Sequence, residues 1–268
     1  MSARGGIVSL TLALCVAGCG AGDSSAPPGS PSCPDGVTAP ADLAAAVATY
    51  RAAWSDAGVR ACQLASALAA KAELLTREGA AVGPDAIAAR MAASATGEMK
   101  VTSELQTHHD FTRFTWSAPS SSGVDFLLSD AQHRLVRVAR FEDDAAATPP
   151  SPQVQAYIDS WNEPDAMKRT ALLQMGFRDD ARYVDPTVDA VGRAAFVDHI
   201  GGYRKSFPGT ALSAPQGVVV HGRAAHLPWE IRSAKGALVL SGVDSVLLAE
   251  DGRIALVTGF FGSLAPAP

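Results

Sequence analysis

Side chains able to do chemistry are sparse in this 268-residue chain. Of the six histidines, His221 and His226 lie close in sequence. Strand side chains alternate between faces, so in one continuous strand these two rings point apart, and only a turn or bulge between them brings them to one side. His108-His109-Asp110 gives no convincing ligand set, and no metal site is expected. Arg193, Arg223 and Arg232 are open to an anion, with solvated faces as the plainer reading. The chain has no nucleophile elbow, phosphate-binding glycine loop or dinucleotide turn, and no Cys-x-x-Cys pair. No cofactor is expected.

The composition and the first residues say where such a chain works. Hydrophobic residues make up 47%, enough for a real core, and the formal net charge is −5 with no basic run, which argues against nucleic acid as a partner. Residues 1–18 read as an export signal, with Arg4 as the positive start and an uncharged, mostly apolar run from Ile7 to Gly18. A spanning helix needs about 20 apolar residues and a secretory core roughly 7–15, so this run is too short to span. Val16-Ala17-Gly18-Cys19 resembles the lipobox of bacterial lipoproteins. That implies cleavage before Cys19, lipid on its sulfur and attachment to the cell envelope. Gly20 in place of Asp implies the outer membrane if the cell is Gram-negative. Residues 19–37, rich in Gly, Ser and Pro, read as a flexible tether. Cys15 leaves with the signal, so Cys33 and Cys62 remain. An oxidising compartment permits a disulfide between them, and two free thiols are the alternative.

Behind the tether, two segments repeat one another. Residues 145–152, rich in Ala, Pro and Ser, separate a domain at 38–144 from one at 153–264. Tyr50 and Trp54 match Tyr157 and Trp161, Val82-Gly83 matches Val191-Gly192, and His108 with Trp116 matches His221 with Trp229. Gly123-Val124-Asp125 matches Gly242-Val243-Asp244, and Phe141 matches Phe260. The order is kept throughout, which marks an internal repeat. In the second segment Ser151 and Pro152 open a helix whose face carries Val154, Tyr157, Ile158 and Trp161. A second helix starts at Pro164 and closes at Gly176. Tyr183 and Val184 form a short extended piece ending at Asp185-Pro186, and a third helix runs from Gly192 to Pro208-Gly209. Strands follow at 217–221, 225–232, 237–248 and 253–261, the last two joined by a turn at Glu250-Asp251-Gly252. Helices first and an antiparallel sheet afterwards predict an α+β fold.

These residues carry a family resemblance. Tyr157-Ile-Asp-Ser-Trp161, Arg182-Tyr-Val-Asp-Pro186, Gly192-Arg-Ala-Ala-Phe196, Phe207-Pro-Gly209, Gly242-Val-Asp244, Asp251-Gly-Arg-Ile254 and Gly259-Phe-Phe261 together resemble the SnoaL-like branch of the nuclear transport factor 2-like superfamily. The first segment resembles it in outline. The resemblance implies two tandem cone-shaped domains, each a curved, antiparallel-rich sheet wrapped around three N-terminal helices with a cavity at the open end. It implies a small hydrophobic ligand as partner, and an internal pseudo-dimer if the halves meet through their sheets. Fold alone does not name the activity, because the superfamily holds polyketide cyclases, ketosteroid isomerases, dehydratases and domains that only bind.

By the same resemblance, Asp185 matches the general base of the isomerases, and Tyr157 and Asp244 match their donors to an enolate oxygen. Removing a proton beside a carbonyl requires a base and pre-positioned donors in a dry site. A carboxylic acid donates there only where an apolar setting raises its pKa. The plainer reading has Asp185 starting a turn, Tyr157 in the core and Asp244 bonding a neighbouring strand. Trp161, His199, Tyr203, Trp229 and Phe260 are the expected cavity lining. Thr76 stands at the Asp185 position of the first segment, so any catalysis belongs to the second. A ligand-binding domain, a proton-transferring isomerase, cyclase or dehydratase, and a protein-binding scaffold all remain open. The anchor is separately testable. Cys19→Ser is expected to move the protein from the membrane to the soluble fraction and to end fatty-acid labelling, and labelled protein still in the membrane would exclude Cys19 as the acceptor.

Overall fold

The computed structural model describes residue 33 and residues 38–94 and 98–267. The export signal, Cys19 and most of the tether lie outside the described residues. Asp42 opens the first helix, α1 (Leu43–Ser55), by accepting a hydrogen bond from the Ala45 amide. There follow α2 (Arg60–Ala67), the hairpin β1 (Leu68–Thr76) and β2 (Gly79–Val82), α3 (Pro84–Ala93), and the strands β3 (Lys100–Val101), β4 (Gln106–His108), β5 (Phe111–Ala118), β6 (Ser121–Ser129) and β7 (Leu135–Glu142). The second half runs through the same order. It comprises α4 (Pro152–Asn162), α5 (Ala166–Gly176), β8 (Phe177–Asp185), β9 (Val188–Val191), α6 (Arg193–Ser206), β10 (Ala211–Ser213), β11 (Val219–His221), β12 (Ala224–Arg232), β13 (Leu238–Leu248) and β14 (Ile254–Phe261).

The fold is α+β, with two seven-stranded sheets and six helices among the described residues. The first sheet has the order β2-β1-β7-β6-β5-β3, with β4 on β5, and the second β9-β8-β14-β13-β12-β10, with β11 on β12. Two expectations need correction. The third helix of each half does not belong to a helical block ahead of the sheet, because a β-hairpin precedes it. Each sheet is also mixed, since β1 pairs with β7, and β8 with β14, in parallel. The extended piece at Tyr183-Val184 is in fact a nine-residue strand. It escaped recognition because its pairing slips between Phe177 and Arg182, and a bulge breaks the two-residue alternation by which a strand is read.

Each half has its own core between helices and sheet. A third cluster draws on both halves, joining Leu75, Phe111, Phe126 and Phe141 to Val184, Ala224, Val243 and Phe260. The contacts around it are reciprocal. His108 donates from Nε2 to the Gly259 carbonyl, and His221 from Nδ1 to the Arg140 carbonyl, each at 2.8 Å. The chain after each half's last strand also crosses to the other half. Thr148 bridges to Val218, and Pro266 to Ser103. At the N-terminal end Cys33 is disulfide-bonded to Cys62 of α2, with Cα atoms 5.3 Å apart.

Phe260 lies in this shared cluster, fully buried between the ring of His108, 4.5 Å away, and that of Phe126, 5.8 Å away. Its expected place in the cavity lining is therefore corrected. Alternation along β14 sends Phe260 to the opposite face from Gly259 and Phe261. Phe260→Ala is expected to cost about 3–5 kcal/mol in urea unfolding, with the second half's cavity left intact. A loss under about 1 kcal/mol would mean that the cluster contributes little to holding the sheets together.

Candidate functional site

Four elements bring the site together. The first is α4, started by the Ser151 hydroxyl, which accepts from the Val154 amide, and by Pro152 at its first turn. Its inner face carries Tyr157 and Trp161. The second is the β8–β9 hairpin, whose two-residue turn is Pro186-Thr187. Asp185 sits at its base. Its Oδ1 accepts from the Thr187 amide and hydroxyl, each at 2.7 Å, and from the Val188 amide at 3.0 Å. Its Oδ2 accepts from the Tyr183 hydroxyl at 3.0 Å and lies 3.8 Å from His199 Nε2 on α6, the third element.

The fourth is the pair β12–β13. Trp229 stands opposite Gly242, and a Cβ at 242 would collide with the Trp229 ring and the Phe260 carbonyl. Only glycine lets the indole lie flat across the neighbouring strand. From there its Nε1 donates to Asp244 Oδ1 at 2.8 Å, while Tyr157 Oη donates to Asp244 Oδ2 at 2.5 Å. The Gly-Val-Asp motif is thus a seat for the indole, a residue facing the other sheet and a carboxyl facing the cavity.

Asp244 is fully buried, and desolvation pushes its pKa from the ordinary 3.8 up to about 7. The bonds from Tyr157 and Trp229 oppose the rise, and the charge of Asp185 adds to it. Burial, followed by the charges of neighbouring groups, drives the Tyr157 and Tyr183 hydroxyls well above the normal tyrosine range. Burial lowers the pKa of His199, against the pull of Asp185.

Together these groups border a cavity of about 230 Å³ whose other walls include Trp161, Tyr203, Phe207, Leu212, Ile231, Leu240 and Phe261. Tyr157, Asp185, Asp244, Trp161, His199, Tyr203 and Trp229 therefore share one space. Tyr183, Thr187, Leu212 and Phe261 were missed. Tyr183 lies two residues before Asp185 and would have been found had β8 been read as a full strand. Phe261 follows from parity, since Asp244 pairs with Gly259 and the next inward residue is 261. The other histidines are elsewhere. A turn at Gly222-Arg223 lets His221 and His226 both face the Phe141 ring, at 5.0 and 5.4 Å, between the sheets. Among the described residues no group of three or more His, Cys, Asp or Glu is placed to hold a metal.

Residues 154–257 match the family profile of the SnoaL-like domain. The second half is a SnoaL-like domain. A SnoaL-like family protein from Agrobacterium tumefaciens, named as an isomerase, is 32% identical to it over a match covering 41% of this chain and 95% of that one, with a TM-score of 0.40. A protein from Sinorhizobium meliloti, named as a polyketide cyclase, is 21% identical over 41% of this chain and 94% of its own, with a TM-score of 0.34. One from Kribbella flavida, named as a ketosteroid isomerase, is 21% identical over 43% and 79%, with a TM-score of 0.32. No curated protein matches the chain.

The Asp244 carboxyl leaves a mark on stability in this SnoaL-like half. Its folded pKa lies above its unfolded one, so between about 4 and 7 the folded state holds more protons and stability falls as pH rises. One pH unit is worth about 1.4 kcal/mol, so the full effect is of the order of 4 kcal/mol. Asp244→Asn removes it. The variant's stability relative to wild type should improve by a few kcal/mol between pH 5 and pH 8 in urea titrations. Taking the difference cancels His226, whose burial, with a pKa near 4, gives the opposite slope. A pH-independent difference would mean that Asp244 titrates normally.

Proposed function

We propose that this protein is an exported lipoprotein, anchored through Cys19, whose second half holds a small hydrophobic ligand in the SnoaL-like cavity. One observation carries the binding reading. The cavity is walled largely by aromatic and aliphatic side chains, while every oxygen of its two carboxyl groups already accepts a bond from the protein. Such a space favours an apolar body and has few free groups to attack it. The matching element order, strand order and reciprocal contacts support a further inference, that the halves are tandem copies meeting through their sheets as an internal pseudo-dimer. Among the described residues no helix is long and apolar enough to cross a membrane, which suits attachment by lipid.

Proton transfer beside a carbonyl is the second reading, favoured by the unlike settings of the two acids. Backbone amides orient Asp185, while burial holds Asp244 toward its protonated form. Proton transfer needs an oriented carboxyl as base beside a protonated acid as donor. A protein-binding scaffold is third, and no particular contact favours it.

One small ketone separates the first two readings. With the mature chain carrying Cys19→Ser, 2-tetralone should quench tryptophan fluorescence saturably, since Trp161 and Trp229 line the cavity. Leu240→Trp should abolish that quenching by filling the space while the unfolding midpoint holds. Quenching that never saturates, or that survives this variant, would sink the binding reading. Hydrogen exchange at the carbon beside the ketone in deuterium oxide, lost in Asp185→Asn, would promote the enzymatic reading.

A further inference from the structure

The two buried aspartates have matching tyrosine and tryptophan donors and differ in the residue that faces each across the strand. In the first half Asp125 accepts from Tyr50 Oη at 3.0 Å and Trp116 Nε1 at 2.9 Å. In the second, Asp244 accepts from Tyr157 and Trp229 in the same way. A second tryptophan stands four residues after each tyrosine, its ring edge-on at 6.4 Å in both halves. Asp185 and Tyr183 of the second half are Thr76 and Leu74 in the first, and a further difference lies directly across the strand. Asp125 pairs in register with Arg140, and Asp244 pairs with Gly259.

Arg140 fills its place completely. Its Nε and Nη2 donate to the two oxygens of Asp125 at 2.8 and 2.7 Å. Its guanidinium lies over Trp54 at 3.6 Å and Trp116 at 4.2 Å from the ring centres, and the residue is 2% exposed. This is a carboxylate with two aromatic faces holding a planar cation, an arrangement in which the two-point hydrogen bond and the cation–π attraction reinforce each other. At Gly259 that cation is missing. A Cβ built there would sit 3.1 Å from Asp244 Oδ1 and 3.6 Å from the Tyr183 hydroxyl, so a side chain at this position would enter the cavity beside the carboxyl. No arginine or lysine appears among the lining residues.

We propose that the second half's cavity takes a ligand bearing a planar cation, a guanidinium or amidinium on a small apolar body. The cation seats against Asp244 between Trp161 and Trp229, in the space that Arg140 occupies in the first half. The inference rests on the ligand-binding reading and names its ligand class. The rise in the Asp244 pKa is the complement of this vacancy, because a buried carboxyl without a cation is held toward its neutral form. An arriving cation would stabilise the charged form and pull the pKa back down.

The test pairs two probes of one shape, the charged benzylguanidinium and the neutral benzylurea, titrated by calorimetry into the mature chain carrying Cys19→Ser. Benzylguanidinium should bind saturably and about tenfold or more tighter than benzylurea, a difference of about 1.4 kcal/mol. Asp244→Asn should remove the preference. Gly259→Arg should block both probes while the circular dichroism spectrum and unfolding midpoint are kept, since the new side chain reproduces the arrangement around Asp125. Equal binding of the two probes, or a preference that survives Asp244→Asn, overturns the cation and leaves the apolar cavity standing. Binding of neither probe, with 2-tetralone also failing, overturns the inference and the cavity reading together. Binding of 2-tetralone alone overturns the cation only.

Discussion

A carboxyl group without water must be met by donors, by a cation, or by a proton. Each half of this chain buries an aspartate on its next-to-last strand, and much of the surrounding sequence follows from that choice. A tyrosine on the opening helix and a tryptophan on the strand before supply donors. A glycine beneath the tryptophan makes room for its ring. The halves part company at the third requirement. Arg140 supplies the cation for Asp125, while Asp244 keeps a pKa near 7 beside open space. The same buried acid makes one half solid and leaves the other hollow.

The hollow half is shaped by the parity of its strands. Odd-numbered residues of β14 such as Val257 join the second half's own core, while Phe260 joins the cluster shared with the first half. One sheet thus serves a cavity on one face and an apolar seam on the other. The seam is sealed at its margins by reciprocal polar contacts, in which each histidine bonds the backbone opposite. Asp185 likewise has two duties, because its Oδ1 fastens the hairpin turn while its Oδ2 faces Tyr183 and His199.

Much of this was legible in the residues. Helix caps, glycine stops and paired motifs gave the element order of the second half, while Tyr157, Asp185 and Asp244 came from the family resemblance. What stayed hidden has local causes. The slipped pairing in β8 concealed a long strand, and with it Tyr183. Phe260 and Phe261 are adjacent and alike, so only the register of β13 on β14 says which faces the cavity. The turn that brings His221 and His226 to one ring is two residues long and reads as part of a strand. The meaning of Gly259 was invisible for a different reason. A missing side chain has no sequence signature until the residue across the strand is known.

The reciprocal contacts also order events in time. In the first half His108, Gln106 and Arg113 each bond a carbonyl that lies 151, 155 and 149 residues further along the chain. Glu104 and Thr102 bond the last described residues, Ala265 and Ala267. A chain emerging from the ribosome N-terminus first cannot make these contacts until residues 259–267 have appeared. Loop closure over such distances is slow, and partly covered apolar faces are open to misassociation meanwhile. The half made first is therefore the half completed last. Its apolar face stays uncovered from the completion of β7 at Glu142 until β14 has been made.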